Sequence, residues 1–397
     1  MDFQFGEKEE QFRSEIREFV KENLPNGFIG NMFEEEHTDK SWEFAMSIAQ
    51  KLAKKKWLTI SWPKEYGGMG ASTWQKVVFA QEAGYWGIPG IGMGVSGTAW
   101  VGPSLMLFGT KEQQEKYIPL IAAGDPNGVW CTGYSEPDSG SDLASLQTSA
   151  EKVGDNYIIN GQKVWTSCAH KARYLWLACR TKQNTEKKHQ GLSLIIVDMK
   201  SEGLTVSPLK NFVGGHVFNE LFFSDVKVPV ENLVGVENNG WSQLMAALSF
   251  ERGLALSAGG ACLRILDELV EYSKETGCIN DPVISNSLAD LAIDIETLKI
   301  LSFESAWKED QKKVVIYEPS RDKALCDQLM EKVSRVGADI LGVYSQMDIM
   351  ERDPRWTRLK GCIEHMYYYS IGIAIAAGTT DTQRNIIANF GLQLPRS

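Results

Sequence analysis

The sequence predicts an α+β chain in three consecutive parts: a helical region over residues 1–128, a compact antiparallel β unit over 129–237, and a four-helix bundle over 238–397. Apolar residues recur at helical spacing at the start. They change to β-branched runs near Val129 and return to helical spacing from about Asn238. Prolines punctuate the last part: none occurs between Pro229 and Pro282, and then only Pro319, Pro354 and Pro395 follow. Each lacks a backbone donor and suits a helix boundary, so the spacing marks four helical blocks.

In the first part, Glu7 to Asn23 places Phe12, Ile16, Phe19 and Val20 on one helix face, and Pro25 and Gly27 end it. Ser47 to Trp57 predicts a second helix, Trp62 to Gly70 a loop, and Thr110-Lys-Glu-Gln-Gln a helix start with a hydroxyl cap. In the middle part, strands are expected at Tyr157–Ile159, Tyr174–Ala178, Leu192–Val197, Leu221–Phe223 and Val226–Val230. Gly154-Asp-Asn, Asn160-Gly161 and Gly214-Gly215 supply turn signals, and Asn160-Gly161 predicts a hairpin turn leading into a strand. No G-x-G-x-x-G follows a strand, which removes a Rossmann reading.

Composition narrows the function classes. The 397 residues carry a net charge of −10 and no basic block, which argues against nucleic-acid binding. The acidic start has no apolar signal core, and no run nears the roughly 18 apolar residues of a membrane span. Seven cysteines without a C-x-x-C pair fit a reducing cytoplasm better than a secreted disulfide scaffold. The five histidines are scattered and form no H-E-x-x-H, so no metal site is expected.

Two segments carry the chemistry. Tyr134-Ser-Glu-Pro-Asp-Ser-Gly-Ser-Asp142 is a turn shaped by Pro137 and Gly140, with Ser135, Ser139 and Ser141 as short donors. Asn160-Gly-Gln-Lys-Val-Trp-Thr-Ser167 follows as a strand. In this order and spacing they resemble the flavin-binding signature of the acyl-CoA dehydrogenase family. Trp62-Pro-Lys-Glu-Tyr-Gly-Gly, Gly109-Thr-Lys-Glu-Gln-Gln-Glu-Lys-Tyr, Asp225-Val-Lys-Val-Pro-Val-Glu-Asn and Gly378-Thr-Thr-Asp-Thr-Gln-Arg-Asn-Ile-Ile-Ala388 extend the resemblance over residues 5–395.

The resemblance implies that family's fold: an N-terminal helical domain, a middle β domain and a C-terminal four-helix bundle. It also implies α,β-desaturation of an acyl-CoA thioester. That reaction needs a base for the α-proton, donors for an enolate-like oxygen and an acceptor for the β-hydride. No side chain accepts hydride, so FAD is the implied cofactor. The resemblance puts Tyr134, Ser135, Trp165, Thr166 and Ser167 around the flavin ring, and Gly378, Thr379 and Asp381 among the cofactor contacts. It puts Ser141, Ser249 and Arg252 on the CoA portion, although Ser141 equally suits a turn-stabilising serine.

Much of the family carries its catalytic glutamate directly before the Gly-Thr of the last motif. Here that position is Ala377, which cannot take a proton. A second family arrangement places the glutamate directly before the CoA-contacting arginine, and Leu248-Ser-Phe-Glu-Arg-Gly253 offers Glu251 and Arg252. The resemblance therefore implies Glu251 as base. Its small and apolar neighbours, among them Ala246, Ala247, Phe250 and Ala255, favour partial burial over a solvated helix glutamate.

Three departures from the family pattern stand out. Asp138 occupies a turn position usually held by glycine. Thr276 stands where an arginine is expected to reach the FAD pyrophosphate of a neighbouring subunit, ahead of Ile279-Asn280 in place of Phe-Gly. Gly342-Val-Tyr-Ser-Gln346 replaces a Gly-Gly-x-Gly loop that serves the same neighbour. The stretch Gly84 to Gly109 holds eight glycines, which either leave room for a bulky acyl group or permit close helix packing.

The expected protein is thus an FAD-dependent acyl-CoA dehydrogenase for a branched, cyclic, aromatic or steroid-like acyl group. It is expected in the cytoplasm, as a homotetramer or a heterotetramer with a related subunit, passing electrons to an electron-transferring flavoprotein or similar acceptor. Two rivals remain: a partner or scaffold subunit of a heteromeric dehydrogenase, which Thr276 and Ala377 favour, and a flavin acyl-CoA oxidase. The chain lacks the extra C-terminal region of peroxisomal-type oxidases, which favours the dehydrogenase.

Overall fold

The computed structural model describes residues 5–30, 38–91, 96–248, 254–347 and 357–395. In chain order the helices and strands are α1 (Glu7–Asn23), α2 (Asp39–Lys54), α3 (Thr73–Trp86), α4 (Gly102–Phe108), α5 (Lys111–Ala122), β1 (Trp130–Gly133), β2 (Ser149–Val153), β3 (Asn156–Ser167), β4 (Tyr174–Arg180), β5 (Leu192–Asp198), β6 (Leu204–Leu209), β7 (Phe218–Pro229), β8 (Leu233–Val234), α6 (Gly240–Leu248), α7 (Leu254–Thr276), α8 (Pro282–Asp310), α9 (Glu318–Leu341), α10 (Cys362–Ile373) and α11 (Thr380–Ile386). They fall into two units: residues 1–32, 71–88 and 252–397 form one, residues 33–70 and 89–251 the other. The helical start of the chain therefore contributes α1 and α3 to the first unit and α2, α4 and α5 to the second.

The first unit is helical. In α1 the buried residues are the predicted stripe, Phe12, Ile16, Phe19 and Val20. Glu82 of α3 is buried and accepts from Arg13 and Arg17 of α1 and from the Trp86 indole, each at 2.9 Å. The bundle core joins Leu266 and Leu269 of α7, Leu291 and Ile295 of α8, Met330 and Val333 of α9, and Ile363 of α10. Pro282 and Pro319 open α8 and α9, where a missing N–H costs nothing. The fourth predicted block divides into α10 and α11 around Ala377 and Gly378, both with left-handed backbone.

The second unit is built on a sheet of order β6-β7-β3-β2-β4-β5-β8, with β1 added alongside β4. Residues of β4 alternate between two cores. Leu175, Leu177 and Cys179 face Tyr157, Ile159 and Leu221, whereas Trp176 and Ala178 face Leu105, Tyr117, Ile121 and Leu244 from α4, α5 and α6. Helix α5 starts at the predicted cap, Thr110 and Gln113 forming a reciprocal capping box.

Two expectations are corrected here. The sheet is mixed rather than wholly antiparallel, because β1 and β2 both pair with β4 in parallel. The chain leaves β1 through the Tyr134–Asp142 turn, builds the β2–β3 hairpin and returns in its original direction. The second correction concerns Asn160-Gly161, which lies inside β3 at a bulge and not at a hairpin turn. The Asn160 amide straps that bulge, donating to the Asp225 carboxylate at 3.0 Å and accepting the Asp225 N–H at 2.9 Å. Gly161 sits at φ 144°, and an added Cβ would lie 2.6 Å from Thr148 Oγ1. The hairpin turn is Gly154-Asp155, joining Val153 to Asn156.

Glycines of the 84–109 stretch serve close packing at several places. A Cβ on Gly84 would lie 1.8 Å from the Ser257 carbonyl oxygen of α7, and one on Gly102 would lie 2.1 Å from the Trp62 ring. Of the two alternatives for this stretch, these positions realise helix packing. Gly92 and Gly94 lie outside the described residues. Gly84→Ala is expected to destabilise the protein by about 1–3 kcal/mol, despite alanine's better helix propensity, because backbone cannot yield as a side chain can. Chemical denaturation read by circular dichroism checks this; an unchanged midpoint contradicts it.

Candidate functional site

The hydroxyl-rich turn is fixed from beneath by a buried charge pair. Lys163 points inward from β3, fully buried, and its ammonium donates to the Glu136 carboxylate at 2.8 Å and the Tyr134 carbonyl at 2.9 Å. Glu136 also accepts the N–H groups of Gln147 at 2.6 Å and Thr148 at 2.8 Å. Burial alone would raise the Glu136 pKa, but the Lys163 charge and these donors hold it below its ordinary value. Burial lowers the Lys163 pKa, against the pull of Glu136. The turn closes by reciprocal backbone bonds between Glu136 and Ser139, at 2.9 and 3.0 Å. Ser135 is half-buried and its carbonyl accepts the Val164 N–H at 2.9 Å, tying the turn to β3. Ser141 and Asp138 are exposed beyond it.

The end of β3 presents the other predicted ring contacts. A bulge sets two residues, Val164 and Trp165, against the single Glu220 of β7. Trp165 has left-handed backbone at φ 61°, unusual for an aromatic residue, and its side chain is 59% exposed, braced edge-on by Phe218. The next residue turns inward: Thr166 is buried, and among the described residues its hydroxyl has no hydrogen-bond partner. Ser167 is half-buried and pairs with Phe218. An exposed indole beside a buried, unsatisfied hydroxyl and two half-buried serines suits a flat polar ring. The sequence-predicted residues Tyr134, Ser135, Trp165, Thr166 and Ser167 are therefore brought together.

Beneath this strand end lies a cluster that sequence reasoning missed. Asn219 of β7 is fully buried; its amide meets the Thr166 carbonyl at 3.1 Å, His170 Nδ1 at 3.3 Å and His216 Nε2 at 2.7 Å. The two imidazoles stack 3.9 Å apart. Burial first, then His216 and the Lys171 ammonium, push the His170 pKa down to about 4, with Asp39 pulling the other way. In the sequence these histidines are simply scattered; only the pairing of β3 with β7 assembles them.

The C-terminal motif lies in the other unit. Thr379 caps α11 by accepting the Thr382 N–H at 3.0 Å, and exposed Asp381 pairs with Arg384 at 3.1 Å. The carbonyls of Ala377 and Gly378 accept from the Gln383 amide at 3.0 and 3.2 Å. Thr276 is exposed and its hydroxyl donates to the Tyr272 carbonyl at 2.8 Å, while Val343 is 75% exposed. Ser249, Glu251 and Arg252 lie outside the described residues. Among the described residues, no cluster of acidic, His or Cys side chains could hold a metal, and no helix is long and apolar enough to cross a membrane.

With this geometry in hand, comparison with known proteins identifies the class. The acyl-CoA dehydrogenase N-terminal domain matches residues 6–125, the middle domain 131–226 and the C-terminal domain 238–392. The chain belongs to the acyl-CoA dehydrogenase family, flavoprotein oxidoreductases that act on acyl-CoA. It is 34% identical to acyl-CoA dehydrogenase FadE26 of Mycobacterium tuberculosis, over 93% of this chain and 90% of that one. Among solved structures it is similar to the Tcur3481-Tcur3483 steroid ACAD, with a TM-score of 0.89, 32% identity and 100% of both chains covered. It is also similar to the ChsE4-ChsE5 complex from Mycobacterium tuberculosis, with a TM-score of 0.88, 32% identity and 100% coverage of both chains.

Two outcomes follow from the geometry. Lys163→Met strands the Glu136 carboxylate in a buried place and is expected to cost about 3–5 kcal/mol, part of which Glu136→Gln restores in the double variant. A double-mutant denaturation cycle measures this; additive losses contradict it. His170 gives a pH dependence. Below about pH 6.5 the unfolded chain binds a proton that the folded chain refuses until about pH 4, so stability falls with pH across that window. His170→Gln should remove that share of the fall, which unfolding temperatures of both proteins across the window will reveal.

Proposed function

We propose that this chain catalyses the FAD-dependent α,β-desaturation of an acyl-CoA thioester with a bulky acyl group. The observation that carries the reading is the end of β3, where an outward Trp165 adjoins the buried, unpartnered Thr166 hydroxyl. Tyr134, Ser135 and Ser167 complete the ring seat, with Gly378, Thr379 and Asp381 as further cofactor contacts. FAD, when bound, supplies the hydride acceptor that no side chain offers. Glu251 takes the α-proton, a role that a dry site favours by making a carboxylate more basic. Arg252 grips the CoA portion through charge-assisted hydrogen bonds, with Ser249 and Ser141 as neutral contacts. Residues 1–128, 129–237 and 238–397 act as the three domains of this enzyme. The steroid ACAD similarity supports a branched, cyclic, aromatic or steroid-like acyl group; the packed glycines at 84 and 102 do not bear on it.

Assembly with a related chain is favoured over a homotetramer by one specific observation. Thr276, standing where a pyrophosphate-binding arginine is expected, is exposed and spends its hydroxyl on its own helix. A diphosphate lacking a cation is poorly held, and a related subunit can supply one. The ChsE4-ChsE5 structure is itself a complex of two named chains. Electrons leave to an electron-transferring flavoprotein or similar acceptor, and seven cysteines without a C-x-x-C pair suit a reducing cytoplasm.

Purified protein, alone and co-expressed with a related chain, should be yellow in at least one form. Without oxygen, bulky acyl-CoA esters should bleach it faster than butyryl- or octanoyl-CoA; preference for straight chains overturns the substrate class. Glu251→Gln should retain flavin and ligand yet slow flavin reduction by at least ~10³-fold in anaerobic stopped flow. Near-normal reduction removes Glu251 as the base. A homotetramer with full flavin and full activity removes the heteromeric assembly.

A further inference from the structure

We propose that Asn219, locked between His170 and His216, is a positioning residue that sets the Trp165–Ser167 bend for the flavin ring. This inference rests on the flavin reading of that bend. The Asn219 side chain is a single primary amide. Its nitrogen only donates and its oxygen only accepts. One N–H reaches the Thr166 carbonyl at 3.1 Å and the other reaches His170 Nδ1 at 3.3 Å, while the oxygen faces His216 Nε2 at 2.7 Å. His170 must therefore present a bare Nδ1, and His216 must carry a proton on Nε2. The opposite orientation of the amide would set its oxygen against the Thr166 carbonyl, two acceptors without a proton between them. Both tautomers and the amide orientation are thus mutually determined, and the 3.9 Å stack leaves the rings little room to rotate.

The bond to Thr166 falls on the residue that directly follows the bulge. Gripping that carbonyl fixes the planar peptide joining Thr166 to Ser167. The planes on either side carry the exposed indole of Trp165 and the half-buried Ser167, and the Thr166 side chain between them holds the unpartnered hydroxyl. Asn219 is fully buried and its amide bonds the Thr166 carbonyl, so it acts through the backbone. Lys171 and Asp39, whose opposite charges both act on His170, are paired with each other at 2.5 Å.

The test uses the full chain with its flavin, co-expressed with its related subunit where flavin loading needs one. Flavin dissociation constants and the visible circular dichroism of bound flavin are read for wild type, Asn219→Asp, Asn219→Ala and His216→Phe. Asn219→Asp keeps an acceptor for His216 but loses the donor to Thr166. Asp and Ala should both weaken flavin binding by about tenfold or more and change the visible band, at temperatures where far-ultraviolet signals match wild type. His216→Phe keeps the ring but frees the amide, and should change the band with a weaker effect on affinity. An Asn219→Asp protein with wild-type affinity and band overturns the proposal. If both Asn219 variants fail to fold, an unaltered flavin band in His216→Phe overturns it. A wild-type protein that binds no flavin in any assembly refutes the flavin reading itself, a result distinct from folded, flavin-loaded variants that behave like wild type.

Discussion

The Lys163–Glu136 pair is the constraint on which the rest of the site depends. A lysine fully withdrawn from water survives only if its charge is paired and hydrogen-bonded, and here it meets a carboxylate and a carbonyl. The carboxylate in turn gathers two backbone amides from the far side of the turn. One pair thereby joins β3, the Tyr134–Asp142 turn and the approach to β2. Without it, the turn would keep the Val164–Ser135 backbone bond to the strand but lose its buried anchor. With it, the protein's own bonds hold Tyr134 and Ser135 beside β3, and residues held in place lower the ordering cost of binding.

Much of the fold was legible because the signals are local. The α1 stripe, the Thr110 cap and the prolines opening α8 and α9 all act within a few residues. Strands β1, β2 and β6 gave little warning. Trp130–Gly133 is buried nearly throughout, so it shows no alternation, and Leu204–Leu209 contains a proline. Asn160-Gly161 carries a true signal for positive φ, but a bulge and a tight turn both call for a glycine there, and only strand pairing tells them apart.

The residues proposed for the ring seat could be named from the sequence because they lie in two short motifs. What holds them could not. Lys163 and Glu136 stand inside the quoted motifs, yet nothing in their spacing says that one neutralises the other. Asn219 sits in an otherwise ordinary strand, and its importance depends on a register that only strand pairing defines. Supporting contacts of this kind are through-space facts, and a single sequence does not encode them in any local pattern.

The parallel pairing of β1 with β4 has a kinetic consequence. The β2–β3 hairpin closes through a two-residue turn and can form as soon as both strands exist. Strand β1 must wait for Tyr174–Leu177, far along the chain, and a parallel partner offers no short connection. The turn that follows β1 therefore matures only when the sheet has closed. The proposed cofactor seat is thus among the last parts of the sheet unit to be completed.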